Sequence, residues 1–149
     1  METQEYQRKK CYHVVSMFEL NIFSVFAATF LAIAVGVVWY SPWVFGKPWM
    51  RMVGLDESDL EREGQWQRIA LGGISQFILF FIVGQLLVLF KVDHQLLRWF
   101  TVLISGMALV LLSSSVIWER RPLAYFLITG GYVVTVVAGG MCIIFYWPW

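Results

Sequence analysis

The stretch "IFSVFAATFLAIAVGVVWYSP", residues 22–42, is an uncharged apolar run that ends at a proline. A helix that crosses the hydrocarbon core of a bilayer needs about 20 mostly apolar residues, so residues 22–40 are predicted to form a transmembrane helix. Asn21 is a good N-cap for this helix. Pro42 is expected to end it, because the residue before a proline disfavours helical geometry. No small-residue cleavage site follows Tyr40, which argues against a cleaved signal peptide.

Three further apolar stretches have the length of a membrane span: residues 69–90, 99–118 and 123–147, approximately. None alternates strictly between apolar and polar residues, so these segments are predicted to be helices and not barrel strands. Most connections are short, which favours antiparallel packing of consecutive helices. The predicted fold class is therefore all-α: an integral membrane antiparallel four-helix bundle in residues 20–149. One longer loop, residues 41–68, separates spans one and two, and a polar extension, residues 1–19, precedes the bundle.

The composition agrees with a membrane protein. The chain has 149 residues, of which 59% are hydrophobic and 14% charged, whereas soluble domains carry about 25% charged residues. A net charge of +1 gives no basic excess that would indicate a nucleic-acid partner. Two cysteines, Cys11 and Cys142, are too few for a disulfide framework or a thiolate metal site, and we expect both to be unpaired.

The tryptophans provide an independent check on the four spans, because indole side chains concentrate at the membrane–water interface. Eight tryptophans fall at predicted span ends and are expected to be interface anchors: Trp39, Trp43, Trp49, Trp66 and Trp118 on one side, and Trp99, Trp147 and Trp149 on the other. Four spans place both termini on the same side. Lysine and arginine counts of five and six on the two sides leave the orientation undetermined.

The long loop contains the acidic stretch "GLDESDLERE", residues 54–63. Ser58 and Glu61 have the spacing of a capping box, which predicts the start of a helix. We interpret the acids as a solvated helix face, because a calcium loop requires a stricter spacing of oxygen ligands and a turn glycine.

A search for catalytic chemistry finds little. An ionisable residue in the middle of a span would indicate function, and the predicted spans contain none. The histidines, His13 and His94, lie outside the apolar cores, and no phosphate-binding loop, zinc signature or dinucleotide fingerprint is present. The sequence therefore predicts no enzyme, no catalytic residue, no cofactor and no metal. The polar residues within spans are expected to form hydrogen bonds between helices: Thr29, Gln76, Gln85, Ser113, Ser114, Ser115 and Thr135.

Two blocks of sequence resemble the domain-of-unknown-function 1761 family of small four-span bacterial membrane proteins. The first, "LNIFSVFAATFLAIAVGVVWYSPWVFGKPWMRMVGL", matches through Asn21, Trp39, Tyr40, Ser41, Pro42, Phe45, Gly46, Lys47, Trp49 and Met50. The second, "WERRPLAYFLITGGY", matches through Glu119, Arg121, Pro122, Phe126, Gly131 and Tyr132. The resemblance implies a four-helix fold in the bacterial cytoplasmic (inner) membrane and no particular activity. Residues 1–19 precede the point where the family usually begins.

Both blocks lie on the same side of the membrane in this topology, which predicts a candidate site. Its members are Tyr40, Ser41, Lys47, Arg51, Glu119, Arg120 and Arg121. We hypothesise that Glu119 pairs with Lys47 or an arginine and leaves a cation available for a lipid phosphate or another anionic ligand. The alternative is that these charges only hold two loops together. The expected turn at Gly46 and Pro48 would return the chain along the membrane surface.

The functional interpretation is a non-enzymatic membrane protein that acts by helix association. It would be an accessory or structural subunit of a membrane complex, or a homo-oligomer, with membrane lipids as further partners. Small residues four apart in span one, Ala28, Ala32 and Gly36, permit close helix contact and are expected mainly to pack the bundle internally. The alternative is a small transporter or channel for a polar or anionic solute, in which Gln76, Gln85 and residues 113–115 would line one polar cavity.

Overall fold

The computed structural model describes residues 20–55 and 65–147. This part of the chain forms five helices and no strand: α1 (Ile22–Trp39), α2 (Gly46–Val53), α3 (Gln65–Leu89), α4 (His94–Ile117) and α5 (Leu123–Tyr146). Helices α1, α3, α4 and α5 are long and apolar enough to cross a membrane. The predicted all-α fold with four spans is confirmed.

The helix ends follow local capping chemistry. The Asn21 side chain accepts a hydrogen bond from the Phe23 backbone N–H at 3.0 Å, and α1 ends at Trp39, close to the predicted boundary. Helix α4 begins at His94, earlier than the predicted residue 99, because the Asp93 carboxylate caps its first turn. Helix α3 likewise begins at Gln65 and not at residue 69. Hydropathy identified the apolar part of each helix, and the polar first turns of α3 and α4 precede that part.

Helix α2 replaces the turn that we expected at Gly46 and Pro48. Pro48 lies in the first turn of α2, where its missing N–H has no helical partner to lose. The helix ends at Gly54, whose φ of 73° is left-handed and suits glycine. The capping box at Ser58 and Glu61, the extension of residues 1–19 and Trp149 lie outside the described residues.

Helix α5 is the centre of the packing. It contacts α1 and α4 extensively and α3 less, while α1 also packs on α3. The buried apolar core combines residues from all four long helices: Val25, Ala28, Ala32, Phe80, Val83, Leu87, Leu97, Val136, Val137, Met141 and Ile144. Helices α3 and α4 follow each other in the chain but make few close contacts, which differs from the predicted packing of consecutive helices. As a result, α4 is held chiefly by α5.

Several glycines allow close contact between these helices. The Phe80 ring, 1% exposed, lies directly against Gly140. A Cβ atom at Gly131 would lie 3.0 Å from the Trp39 ring. Gly72 and Gly106 differ, because no atom lies within 4 Å of the position that their Cβ atoms would occupy. Internal packing thus accounts for Gly131 and Gly140 but not for Gly72 and Gly106.

Hydroxyl groups within the spans bond mostly to their own helix. Thr29, Ser113, Ser114 and Thr135 each donate to a backbone carbonyl three or four residues earlier. The predicted bonds between helices are therefore wrong for these four residues, because a helical serine or threonine can satisfy its hydroxyl locally. Within the described residues, bonds between helices come instead from Trp39, from Tyr132, from Thr101 to Met141, and from the His94–Tyr146 pair.

Candidate functional site

The chain folds back tightly where α1 ends. The Ser41 N–H donates to Val38 O at 3.2 Å, the Phe45 N–H to Trp39 O at 3.1 Å, and the Gly46 N–H to Ser41 O at 2.9 Å. A Cβ atom at Gly46 would collide with the Tyr40 carbonyl oxygen and lie 2.7 Å from the Ser41 carbonyl oxygen. Only glycine fits this position. The main role of the turn at residues 40–46 is therefore structural, because its backbone hydrogen bonds join α1 to α2.

Aromatic side chains tie this turn to α2 and α5. The Tyr40 ring lies between the rings of Trp49 and Tyr132, with centroid distances of 5.1 and 5.3 Å. The Trp39 indole N–H donates to Ile128 O at 3.0 Å, and the Tyr132 hydroxyl donates to Ala32 O at 3.2 Å. We call this side of the bundle the Tyr40 end. Its aromatic contacts fix the first and last spans against each other.

Burial raises the pKa of Tyr40 to about 12. The Thr129 side chain opposes this rise, and Tyr132 and Tyr125 add smaller contributions to it. Thr129 Oγ1 is itself buried without a well-formed hydrogen bond in the described residues. A tyrosine hydroxyl is neutral at physiological pH even at its ordinary pKa, so the Tyr40 hydroxyl can donate a hydrogen bond there.

Arg121 connects α2 to the loop between α4 and α5. Its Nη1 donates to Met52 O at 2.8 Å, its Nε lies 3.6 Å from Glu119 Oε2, and its guanidinium lies 5.9 Å from the centroid of the Tyr125 ring. Glu119 therefore pairs with an arginine, which was one of the two partners hypothesised from the sequence. The arrangement resembles the alternative in which the charges hold two loops together.

The other predicted site residues lie at the surface or in the turn. Lys47 and Arg51 are exposed and one helical turn apart on α2, and Arg120 is exposed in the loop before α5. Ser41 is half-buried and contributes its backbone groups to the turn. The structure thus brings Arg121 and Glu119 into direct contact, and it leaves Lys47, Arg51 and Arg120 facing outward.

The tryptophans divide into two groups. Trp43, Trp66, Trp99 and Trp118 are exposed at helix ends, with exposures of 93%, 82%, 59% and 82%, as suits interface anchors. Trp39 and Trp49 are half-buried and pack within the Tyr40 end, so they also stabilise the fold. Trp147, which directly follows α5, is half-buried as well. Sequence reasoning missed Tyr125 and the Met52 carbonyl, since neither has a pattern that indicates a contact with Arg121.

Replacing Arg121 with alanine should loosen α2. The change removes the hydrogen bond to Met52 O and the partly exposed pair with Glu119, and we expect a loss of about 1–2 kcal/mol in unfolding free energy. Hydrogen exchange in residues 46–53 should accelerate in the same variant. Arg120→Ala is the matched control, since it removes an exposed neighbour, and should change stability by less than about 0.5 kcal/mol. Equal effects of the two substitutions would contradict the assigned role of Arg121.

Comparison with known proteins agrees with the resemblance seen in the two sequence blocks. A family model described as "Protein of unknown function (DUF1761)" matches residues 23–146, a range that extends from the first span to the last. No curated protein and no solved structure matches the chain.

Proposed function

We propose that this protein, which belongs to the DUF1761 family of proteins of unknown function, is a non-enzymatic membrane subunit that acts by helix association. The observation that carries the proposal is the exposure of α4, which packs chiefly on α5. Only 6% of its apolar span is buried within the chain, against 28%, 22% and 33% for α1, α3 and α5. The side of α4 that faces away from α5 is therefore available to a neighbouring transmembrane helix.

The side of α4 that carries Val102, Gly106 and Val110 is the proposed contact surface, and we call it the Gly106 face. Val102 and Val110 are 61% and 71% exposed, and each lies one helical turn from Gly106. Lipid tails are as apolar as these side chains, so helices associate in a bilayer mainly through close packing at small residues. Gly106 has open space where its Cβ would be, which allows such an approach.

The alternative function, a small transporter or channel, has weaker support. It requires polar groups that face a common path, yet the Ser113 and Ser114 hydroxyls donate to Val110 O and Leu111 O of their own helix. Gln76 Oε1 is the observation in its favour, because it is buried without a hydrogen-bond partner in the described residues. We therefore favour association, either as an accessory subunit or as a homo-oligomer, in the bacterial inner membrane with both termini on one side.

Native mass spectrometry of the protein, extracted from its own membrane in a mild detergent, tests this proposal. Gly106→Leu should reduce the assembled fraction about tenfold, because the new side chain prevents close approach. Gly72→Leu is the matched control, since it also fills open space but lies on α3, and should leave the assembly intact. Circular dichroism of both variants checks that the fold is retained.

The mass distinguishes the two forms of the proposal, since a multiple of the chain mass indicates a homo-oligomer and any other mass indicates foreign subunits. As a check, the membranes are cross-linked before extraction. If the monomer is then the only species detected, the proposal is overturned. If the two leucine variants had the same assembled fraction, the Gly106 face would not be the contact surface.

A further inference from the structure

A hollow lies at the opposite end of the bundle from Tyr40, where α3 and α5 both terminate. It has a volume of about 140 Å³ and is lined by Leu87, Val88, Lys91, Val92, Ile144 and Phe145. Five of these six residues are apolar, and the sixth carries a positive charge. This combination suits a ligand with an anionic group and an apolar part.

Lys91 occupies an unfavourable backbone conformation at this hollow. Its φ of 46° is left-handed. The Lys91 N–H donates to Val88 O and the Val92 N–H donates to Leu87 O, both at 3.1 Å. This is the hydrogen-bond pattern of a helix end at which glycine is the preferred residue. A lysine in place of glycine is less favourable for the backbone. This cost suggests that the lysine side chain has a function of its own.

The charged and polar groups around the hollow favour an anion. The nearest acid in the sequence, Asp93, is not part of the lining, and its carboxylate caps α4 by accepting hydrogen bonds from the Gln95 and Leu96 N–H groups at 3.1 and 2.8 Å. The His94 Nδ1 atom and the Tyr146 hydroxyl are hydrogen-bonded at 3.2 Å, and the His94 ring packs on the Phe145 wall. Lys91 is thus the charged residue of the lining, and the His94–Tyr146 pair adjoins the lining at Phe145.

The hollow also lies at the ends of two membrane-spanning helices, which is where lipid headgroups are expected. Helix α3 ends at Leu89 and α5 at Tyr146, and Trp99, exposed near the start of α4, marks the interface at this end. We infer that the hollow binds a phosphate-bearing membrane lipid. The phosphate binds at Lys91, and the apolar part of the lipid packs against Leu87, Ile144 and Phe145. This inference does not depend on helix association through α4.

The test purifies the full chain in neutral detergent micelles that contain equal amounts of phosphatidylglycerol and phosphatidylcholine. The quantity measured is the phosphatidylglycerol that stays bound to the protein. Lys91→Gly should lower the retained phosphatidylglycerol about fivefold, which corresponds to one interfacial cation. The same variant should raise the melting temperature, because glycine relieves the left-handed conformation. Lys91→Arg should keep the lipid.

Arg68→Gln is the control, since Arg68 is an exposed cation at the opposite end of α3 and belongs to neither candidate lipid site. It should leave the retained phosphatidylglycerol unchanged. Unchanged retention in Lys91→Gly, or an equal loss in Arg68→Gln, would overturn the inference. Inorganic phosphate, titrated in lipid-free micelles, separates the two sources of the anion. Stabilisation by phosphate that requires Lys91, with lipid retention unaffected by Lys91→Gly, would assign the hollow to free phosphate and refute a lipid site.

Discussion

Replacing Gly46 with alanine is expected to unfold the Tyr40 end of the bundle, at a loss of about 3 kcal/mol in unfolding free energy. The added methyl group would collide with the Tyr40 carbonyl oxygen and lie 2.7 Å from that of Ser41. Both are backbone atoms, which cannot rotate away as a side chain could. Relief requires opening the turn and breaking the hydrogen bond from the Phe45 N–H to Trp39 O. Tryptophan fluorescence during unfolding in mixed micelles measures the change.

Gly72→Ala is the control for this prediction, because its Cβ would enter open space within α3. Alanine is the better helix former, so this variant should be unchanged or stabilised by up to about 1 kcal/mol. A Gly46→Ala protein as stable as the native chain would show that the turn can be rebuilt, and that the glycine is not needed for the fold.

The second large effect is expected at the contact between α3 and α5. In Gly140→Ala the new methyl group would overlap two atoms of the Phe80 ring and would lie 2.9 Å from a third. Phe80 is 1% exposed, so its ring is surrounded by other protein atoms. We expect a loss of about 2–3 kcal/mol in unfolding free energy, because overpacking forces the two helices apart.

A double-mutant cycle isolates this contact. Phe80→Leu removes the ring and should make Gly140→Ala less costly, with a coupling energy of about 1 kcal/mol or more. Gly139→Ala is the neighbouring control: its methyl group would lie 2.8 Å from a terminal Leu31 carbon, which can rotate away, and its cost should stay below about 1 kcal/mol. Additive effects of Gly140→Ala and Phe80→Leu would contradict the proposed steric conflict.

The four spans were predictable because lipid leaves the backbone few options. A long apolar segment must satisfy its own N–H and C=O groups, and a helix does so without a partner. Local chemistry also fixed the start of α1, where Asn21 caps the helix as its residue type suggests. The resemblance to the family rested on local motifs too, and the matching family model confirms it.

Helix α2 and the exact starts of α3 and α4 could not be predicted from hydropathy, because their first turns are polar and lie outside the apolar segments. Of the candidate site, the Glu119–Arg121 pair was foreseen as one option between residues close in sequence. The bond from Arg121 to Met52 O joins residues 69 positions apart, and nothing in the local pattern indicates it.

The sequence by itself thus determined that the chain crosses a membrane four times as helices. That result depends only on whether each segment is long and apolar enough to prefer lipid over water. Only the tertiary structure decided that α5 is central and α4 peripheral. It also decided that Lys91 adopts a left-handed conformation beside an apolar hollow. The reason is that lipid and protein interior are almost equally apolar, so hydrophobicity cannot distinguish a side chain that faces lipid from one that faces another helix. Shape complementarity between distant residues makes that choice.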